Sequence, residues 1–231
     1  MHLGAVKAAS PPQLAACAIA AARNAQGLLQ DAELLAGAGR PARAYSVGVL
    51  AVEECGKAAY LTALAAMPEN LRAQAPVGRM LEWHQMKLVG GLLLAALPLD
   101  GVASMVAVMP ADELARRLRI LDAPADKADR LKRRGFYVDM DRSGRIREPA
   151  EVTGAEVVSQ LGRARQAAAS VGGLLAADAH SRIANPPAEG VALVRELVSE
   201  MSAAGHSRTP RAAADVILQA VAKFRQGAAN S

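Results

Sequence analysis

The sequence of 231 residues has few aromatic side chains and few cysteines. Aromatic residues make up 3% of it, so a platform of stacked aromatic rings for single-stranded nucleic acid is not expected. The two cysteines, Cys17 and Cys55, lie far apart without paired spacing, which excludes a disulfide framework and a zinc cage within this sequence. We therefore expect buried, reduced thiols in a cytoplasmic protein.

Several motifs that would identify an enzyme class are also missing. There is no phosphate-binding G-x-x-x-x-G-K-[ST], no dinucleotide-binding G-x-G-x-x-G after a strand, no G-x-S-x-G and no H-E-x-x-H. No E-x-x-H pair is present either, so the ligands of a di-iron helical bundle are lacking. From these absences we expect no bound metal and no cofactor.

The sequence contains no uninterrupted run of apolar residues long enough to span a membrane. The most apolar stretch, Leu88 to Met109, is long enough to cross a bilayer but contains Pro98, Asp100 and Gly101. An Asp near the middle of such a segment costs about 2.5–3.5 kcal/mol on insertion scales. The beginning of the sequence lacks a basic region, and Pro11-Pro12 interrupts any apolar core of a signal peptide. We expect no membrane contact.

What the sequence does contain favours helices. Hydrophobic residues make up 52%, with Ala, Leu and Val in the majority, and charged residues 21%. Ser10, Pro11 and Gln13 form a helix-start signal, and Gly37-Ala38-Gly39 ends the same helix. Pro41 begins a second helix that runs to about Met67. The short turn between them predicts an antiparallel pair.

The rest of the chain predicts an all-α bundle with one irregular insertion. A third helix is expected from after Gly78 to Leu97, and a fourth over about 151–180. Between them, residues 111–148 are rich in Arg and Lys and hold most of the positive excess. Aromatic and β-branched residues around Asp141-Arg142-Ser143-Gly144 predict a small β-hairpin near 135–147. We expect a helical domain over 10–185 and a helical extension over 186–231.

Three charged residues of the second helix share one of its faces. Glu53, Glu54 and Lys57 fall within an arc of about 100°, which also carries the bulkiest apolar side chains of that helix. One interpretation is an exposed Glu53–Lys57 pair one turn apart, worth ~0.3–0.5 kcal/mol. The other is a partly buried ionic cluster of the kind that functional sites require. The pattern alone leaves both open.

The third helix carries the second candidate set. His84 and Lys87 are three residues apart and so share a face that can bind an anion. Arg79 precedes His84 with the spacing R-x4-H, a pattern that also arises by chance in an Arg-rich chain. We predict that Glu53, Glu54 and Lys57 face His84 and Lys87 across a helix pair.

The net charge of +5 and the pI near 9.6 are consistent with an acidic partner. The basic segment, with Lys132, Arg133 and Arg134 next to Tyr137, is the candidate RNA-binding surface.

Taken together, these motifs resemble the AbiV family of phage abortive-infection proteins, whose domain belongs to the HEPN superfamily. The resemblance covers roughly residues 10–185. It is carried by Asn24, Asp31, Arg43-Ala44, the run from Ala51 to Lys57, His84-x-x-Lys87, the run from Lys132 to Asp139, and Pro149.

The resemblance implies a HEPN bundle in the bacterial cytoplasm that halts phage multiplication, with translation blocked. Many HEPN proteins are dimeric, metal-independent ribonucleases that use an R-x4-6-H motif across the dimer interface. The first interpretation is therefore an effector acting on RNA or on the translation machinery, with Arg79, His84, Lys87, Glu53, Glu54 and Lys57 as candidate catalytic residues. A non-catalytic bundle that binds a phage or host protein is the alternative.

A homodimer is also expected, because the first helix carries a long apolar stripe: Leu14, Ala18, Ala21, Ala25, Leu28, Ala32 and Leu35.

Overall fold

The computed structural model describes residues 3–67, 69–74, 81, 84–96, 112–113, 116, 122–137, 139–140, 143, 146–147, 152–185, 188, 191–192, 195–196, 199–200 and 210–229. This part of the chain forms a helical bundle, so the predicted all-α architecture is confirmed. None of its helices is both long enough and apolar enough to cross a membrane.

The helices have the following bounds: α1 Leu3–Ala8, α2 Pro11–Gly37, α3 Pro41–Ala66, α4 Glu69–Gln74, α5 His84–Ala96, α6 Asp122–Phe136, α7 Gly154–Ser170, α8 Ala179–Ala184 and α9 Pro210–Ala229. A 3-10 turn covers Gly172–Leu175. Two strands, β1 Asp139–Met140 and β2 Ile146–Arg147, pair antiparallel with Asp139 opposite Arg147.

Local sequence signals set the ends of the first long helices. The Ser10 backbone N–H donates to Gln13 Oε1 over 2.8 Å, and the Gln13 N–H donates to Ser10 Oγ over 3.4 Å, which completes the predicted capping box. Gly39 has a φ of +69°, a left-handed conformation that glycine adopts without strain, and turns the chain toward Pro41. The predicted helix pair α2–α3 is confirmed.

Helix α3 is the centre of the bundle and packs against α2, α5, α6 and α7. At the α3–α5 crossing, two glycines allow the backbones to touch. A Cβ placed on Gly56 would lie 1.9 Å from the Lys87 carbonyl oxygen, and one on Gly91 would lie 2.0 Å from the Val52 carbonyl oxygen. The crossing therefore requires glycine at both positions, and it fixes the register of α5 against α3.

The apolar stripe of α2 packs against other helices of the same chain. Leu14, Ala18, Ala21, Ala25 and Ala32 are buried in the single chain, where they pack in its two hydrophobic clusters. The predicted homodimer uses this stripe as the seam between two copies. These five residues are already covered, Leu28 and Leu35 are partly buried, and the homodimer stays a prediction.

Helix α6 replaces part of the predicted β-hairpin. The prediction placed a hairpin over 135–147, but Gly135 and Phe136 belong to the helix, and the described pairing is limited to two residues on each strand. The hairpin is therefore not supported in the form expected. Helix α6 extends to Phe136 because Gly135 fits against α3: a Cβ there would lie 2.1 Å from Ser46 Oγ.

The remaining helices differ from the prediction at their ends. The fourth predicted helix, over 151–180, begins at Gly154, after a capping box that Thr153 and Glu156 form. It ends at Ser170, where Gly172-Gly173 introduces the 3-10 turn before α8. The described part of the third predicted helix includes α5, and its residues 79–80, 82–83 and 97 lie outside the described residues. In the C-terminal region, α9 packs against α5.

Candidate functional site

Glu53 is the centre of an ion network between α3, α5 and α6. Its side chain is 4% exposed, and each carboxylate oxygen has its own partner. Oε2 lies 2.7 Å from His84 Nδ1, and Oε1 accepts from the Lys132 ammonium. The second sequence interpretation, a buried ionic cluster, is therefore the one that the structure supports for Glu53.

The network continues from Lys132 to the surface. The Lys132 side chain is buried, and its Nζ also lies 3.2 Å from Asp129 Oδ1. Asp129 Oδ2 in turn accepts from Arg133 Nη2 over 2.6 Å, and the Arg133 side chain is exposed. The chain of partners thus runs His84–Glu53–Lys132–Asp129–Arg133, which we call the Glu53 network.

Small residues on α6 allow Lys132 to enter the interior. Ala125, Ala128 and Gly135 are buried on the same helix face as Lys132, at helical spacing. The Lys132 carbonyl oxygen lies 3.0 Å from Ser46 Oγ of α3. This backbone contact and the close approach of Gly135 place the Lys132 ammonium next to Glu53.

His84 has one protected and one accessible ring nitrogen. Because a carboxylate only accepts hydrogen bonds, Nδ1 carries the hydrogen that Glu53 Oε2 binds. The imidazole is 62% exposed, so its far edge, with Nε2, faces the surroundings of the protein. A buried carboxylate that holds an exposed imidazole in one tautomer is an arrangement suited to proton transfer at Nε2.

The other predicted catalytic residues have different surroundings. Lys57 pairs with Glu54 over 3.1 Å instead of with Glu53, so the exposed Glu53–Lys57 pair of the first interpretation is not formed. Lys87 lies one turn after His84 on α5, half-buried, with its carbonyl oxygen against Gly56. Arg79 lies outside the described residues. The predicted approach of Glu53 to His84 is confirmed, while the catalytic roles stay predictions.

The predicted RNA-binding residues divide into two groups. Arg133, Arg134 and Tyr137 are exposed at the end of α6, and Phe136 contacts Tyr137 edge-on with ring centroids 6.2 Å apart. Lys132 belongs to the interior instead. It was expected on that surface, but burial against Glu53 removes it from contact with a polyanion.

Cys55 lies two residues after Glu53 on α3 and is buried as predicted, whereas Cys17 is exposed, so the predicted burial of Cys17 is wrong. Burial raises the pKa of the Cys55 thiol to about 12, so the thiolate is absent near neutral pH. No three His, Cys, Asp or Glu side chains group as metal ligands in the described part of the chain.

The comparison with protein families agrees with these elements. The family model for AbiV (HEPN_AbiV) matches residues 13–169. The chain belongs to the AbiV family. The AbiV region runs from α2 into α7 and contains every member of the Glu53 network. Membership associates the chain with abortive-infection defence, and its helical architecture agrees with a HEPN bundle. No curated protein and no solved structure matches the chain.

Proposed function

We propose that this AbiV-family chain is an abortive-infection effector that acts in the cytoplasm by cleaving RNA without a metal. The observation that carries the proposal is the pair of His84 and Glu53. An exposed imidazole, held at Nδ1 by a buried carboxylate, presents a lone pair at Nε2. This group can take and return a proton at a bound substrate.

The reaction that fits this group is transesterification of the RNA backbone. His84 Nε2 accepts the proton of the ribose 2′-OH as its oxygen attacks the phosphorus. The bond from phosphorus to the 5′-oxygen breaks, and that oxygen leaves with the proton that the imidazolium of His84 returns. The products are a 2′,3′-cyclic phosphate and a 5′-hydroxyl. Glu53 stabilises the imidazolium that forms during the attack.

A cation is also needed for the negative charge that develops on the phosphate. Lys87 is the described candidate, because it lies one turn from His84 on α5. Arg79 completes the R-x4-H spacing and is the second candidate, and a shared site in a homodimer would allow either protomer to supply the cation. Glu54 and Lys57 are assigned a supporting role, since they bind each other.

The end of α6 is the proposed RNA-binding surface. Arg133 and Arg134 supply exposed positive charge, and the ring of Tyr137 is 66% exposed beside them. Arginine binds phosphate through two donors at once, and tyrosine can stack on a base. Arg133 is also the surface end of the Glu53 network, which connects this surface with the His84 site.

Binding of a phage or host protein without catalysis is the second candidate function. It is favoured by the burial of the Glu53 network, whose pairs connect α3, α5 and α6 as a purely structural ion network would. On this alternative, His84 would serve the fold and not a reaction.

Incubation of the purified chain with total RNA separates the two functions. We expect cleavage with and without EDTA, and 2′,3′-cyclic phosphate ends. The substitution His84→Ala should abolish cleavage, whereas His180→Ala is the matched control. His180 is also exposed, but it contacts the Pro12 carbonyl oxygen, away from the network. Undiminished cleavage by a folded His84→Ala variant would overturn the proposal.

A further inference from the structure

The two oxygens of the Glu53 carboxylate are not equivalent in the structure. Oε1 faces the Lys132 ammonium, and Oε2 faces His84 Nδ1. An ammonium group only donates hydrogen bonds, so Lys132 requires an acceptor at the Oε1 position. Lys132 itself is held by Asp129 and by the backbone contact of Ser46. The direction of the Glu53 side chain is therefore fixed from the α6 side.

We propose that Lys132 is a positioning residue for His84. By binding Oε1, it holds the carboxylate with Oε2 toward His84 Nδ1, and the carboxylate in that place keeps the hydrogen on Nδ1 and leaves a lone pair on Nε2. Lys132 acts through Glu53 and touches neither the imidazole nor a substrate. The catalytic consequence rests on the proposed function, whereas the control of the tautomer is a property of the network itself.

The substitution Glu53→Gln distinguishes a positioning role of Lys132 from a merely structural one. Glu53→Gln leaves one oxygen acceptor and one NH2 donor in the same space. With Lys132 present, the ammonium attracts the amide oxygen, and the NH2 group then faces His84 Nδ1. Nδ1 must accept, so the ring hydrogen moves to Nε2. When Lys132 is also replaced by Met, the amide can turn, its oxygen can face Nδ1, and the original tautomer returns.

The experiment is nitrogen NMR of the full chain labelled at its histidines, at a pH where the imidazoles are neutral. Two-bond correlations from the ring carbon-bound protons to the nitrogens distinguish the tautomers, and His84→Ala assigns the signals. We expect the Nδ1–H form in the wild type, the Nε2–H form in Glu53→Gln, and the Nδ1–H form again in Glu53→Gln/Lys132→Met. Glu53→Gln/Lys127→Met is the matched control and should keep the Nε2–H form, because Lys127 pairs with Glu156 instead.

The same tautomer in Glu53→Gln and in Glu53→Gln/Lys132→Met would overturn the proposal. A return of the Nδ1–H form in the Lys127 control would also overturn it, since the effect would then not be specific to Lys132. These outcomes do not depend on RNA cleavage.

Activity gives a second, separate measurement. We expect Glu53→Gln to lower kcat about 10–100-fold, as loss of a partner that orients a functional histidine does, with KM unchanged. Glu53→Gln/Lys132→Met should regain part of that loss. Absence of cleavage by the wild type would refute the proposed function and leave the tautomer test decisive for Lys132. A wild type that cleaves, with no recovery in the double variant, would refute the positioning role.

Discussion

Substitution of Gly56 by alanine tests the crossing that brings His84 to Glu53. The added Cβ would lie 1.9 Å from the Lys87 carbonyl oxygen and 2.7 Å from the Gly91 nitrogen. A carbon–oxygen contact normally needs about 3.3 Å, so the two backbones would have to separate by roughly 1.4 Å. Overpacking in a core costs about 1–3 kcal/mol. Since both obstacles here are backbone atoms, we expect a loss of about 3 kcal/mol in the free energy of unfolding.

Gly27→Ala is the matched control for this prediction. Gly27 also lies inside a long helix, but a Cβ there meets nothing within 4 Å. Alanine in that position should stabilise the protein by about 0.5–1 kcal/mol, because glycine is the poorer helix former. Urea unfolding followed by far-ultraviolet circular dichroism measures both variants. If Gly56→Ala proves no less stable than Gly27→Ala, the described α3–α5 contact is wrong.

Two further perturbations address the interior. Lys132→Met should lower the free energy of unfolding by about 3–5 kcal/mol, because the buried Glu53 carboxylate would lose its ammonium partner. Lys127→Met, which removes an exposed ion pair, should change it little. Equal effects of the two substitutions would contradict the burial of Lys132. The pKa of the Cys55 thiol is raised from its ordinary value of 9.0 to about 12, so its contribution to stability is complete below pH 9 and is lost as the pH rises from 9 toward 12. Above pH 9 the wild type should lose up to about 1.4 kcal/mol per pH unit more than Cys55→Ala; parallel pH profiles from chemical unfolding would contradict this.

The sequence predicts the fold best where local signals define helix ends. The helix start at Ser10 and Gln13 and the turn at Gly39 before Pro41 depend on neighbouring residues alone, so their outcome does not depend on the tertiary packing. The approach of Glu53 to His84 is also predictable, since both lie on helices of clear pattern.

Helix α6 and its part in the site are not predictable in the same way. Its buried residues are Ala125, Ala128, Gly135 and the charged Asp129 and Lys132, so no stripe of large apolar residues marks it. The many positive charges around Lys132 predict that this segment is exposed to solvent. The burial of Lys132 is explained by its ion pair with Glu53, which lies far away in the sequence. The helical spacing of Ala125, Ala128 and Gly135 is the signal that could have revealed this face.

The central claim is that the histidine held by Glu53 carries the defence activity. Phage plating on cells that produce equal amounts of wild type, His84→Ala and His180→Ala tests it most directly. We predict protection by the wild type and by His180→Ala, and none by His84→Ala, with all three proteins folded. Full protection by a folded His84→Ala variant would contradict the account and favour defence by protein binding.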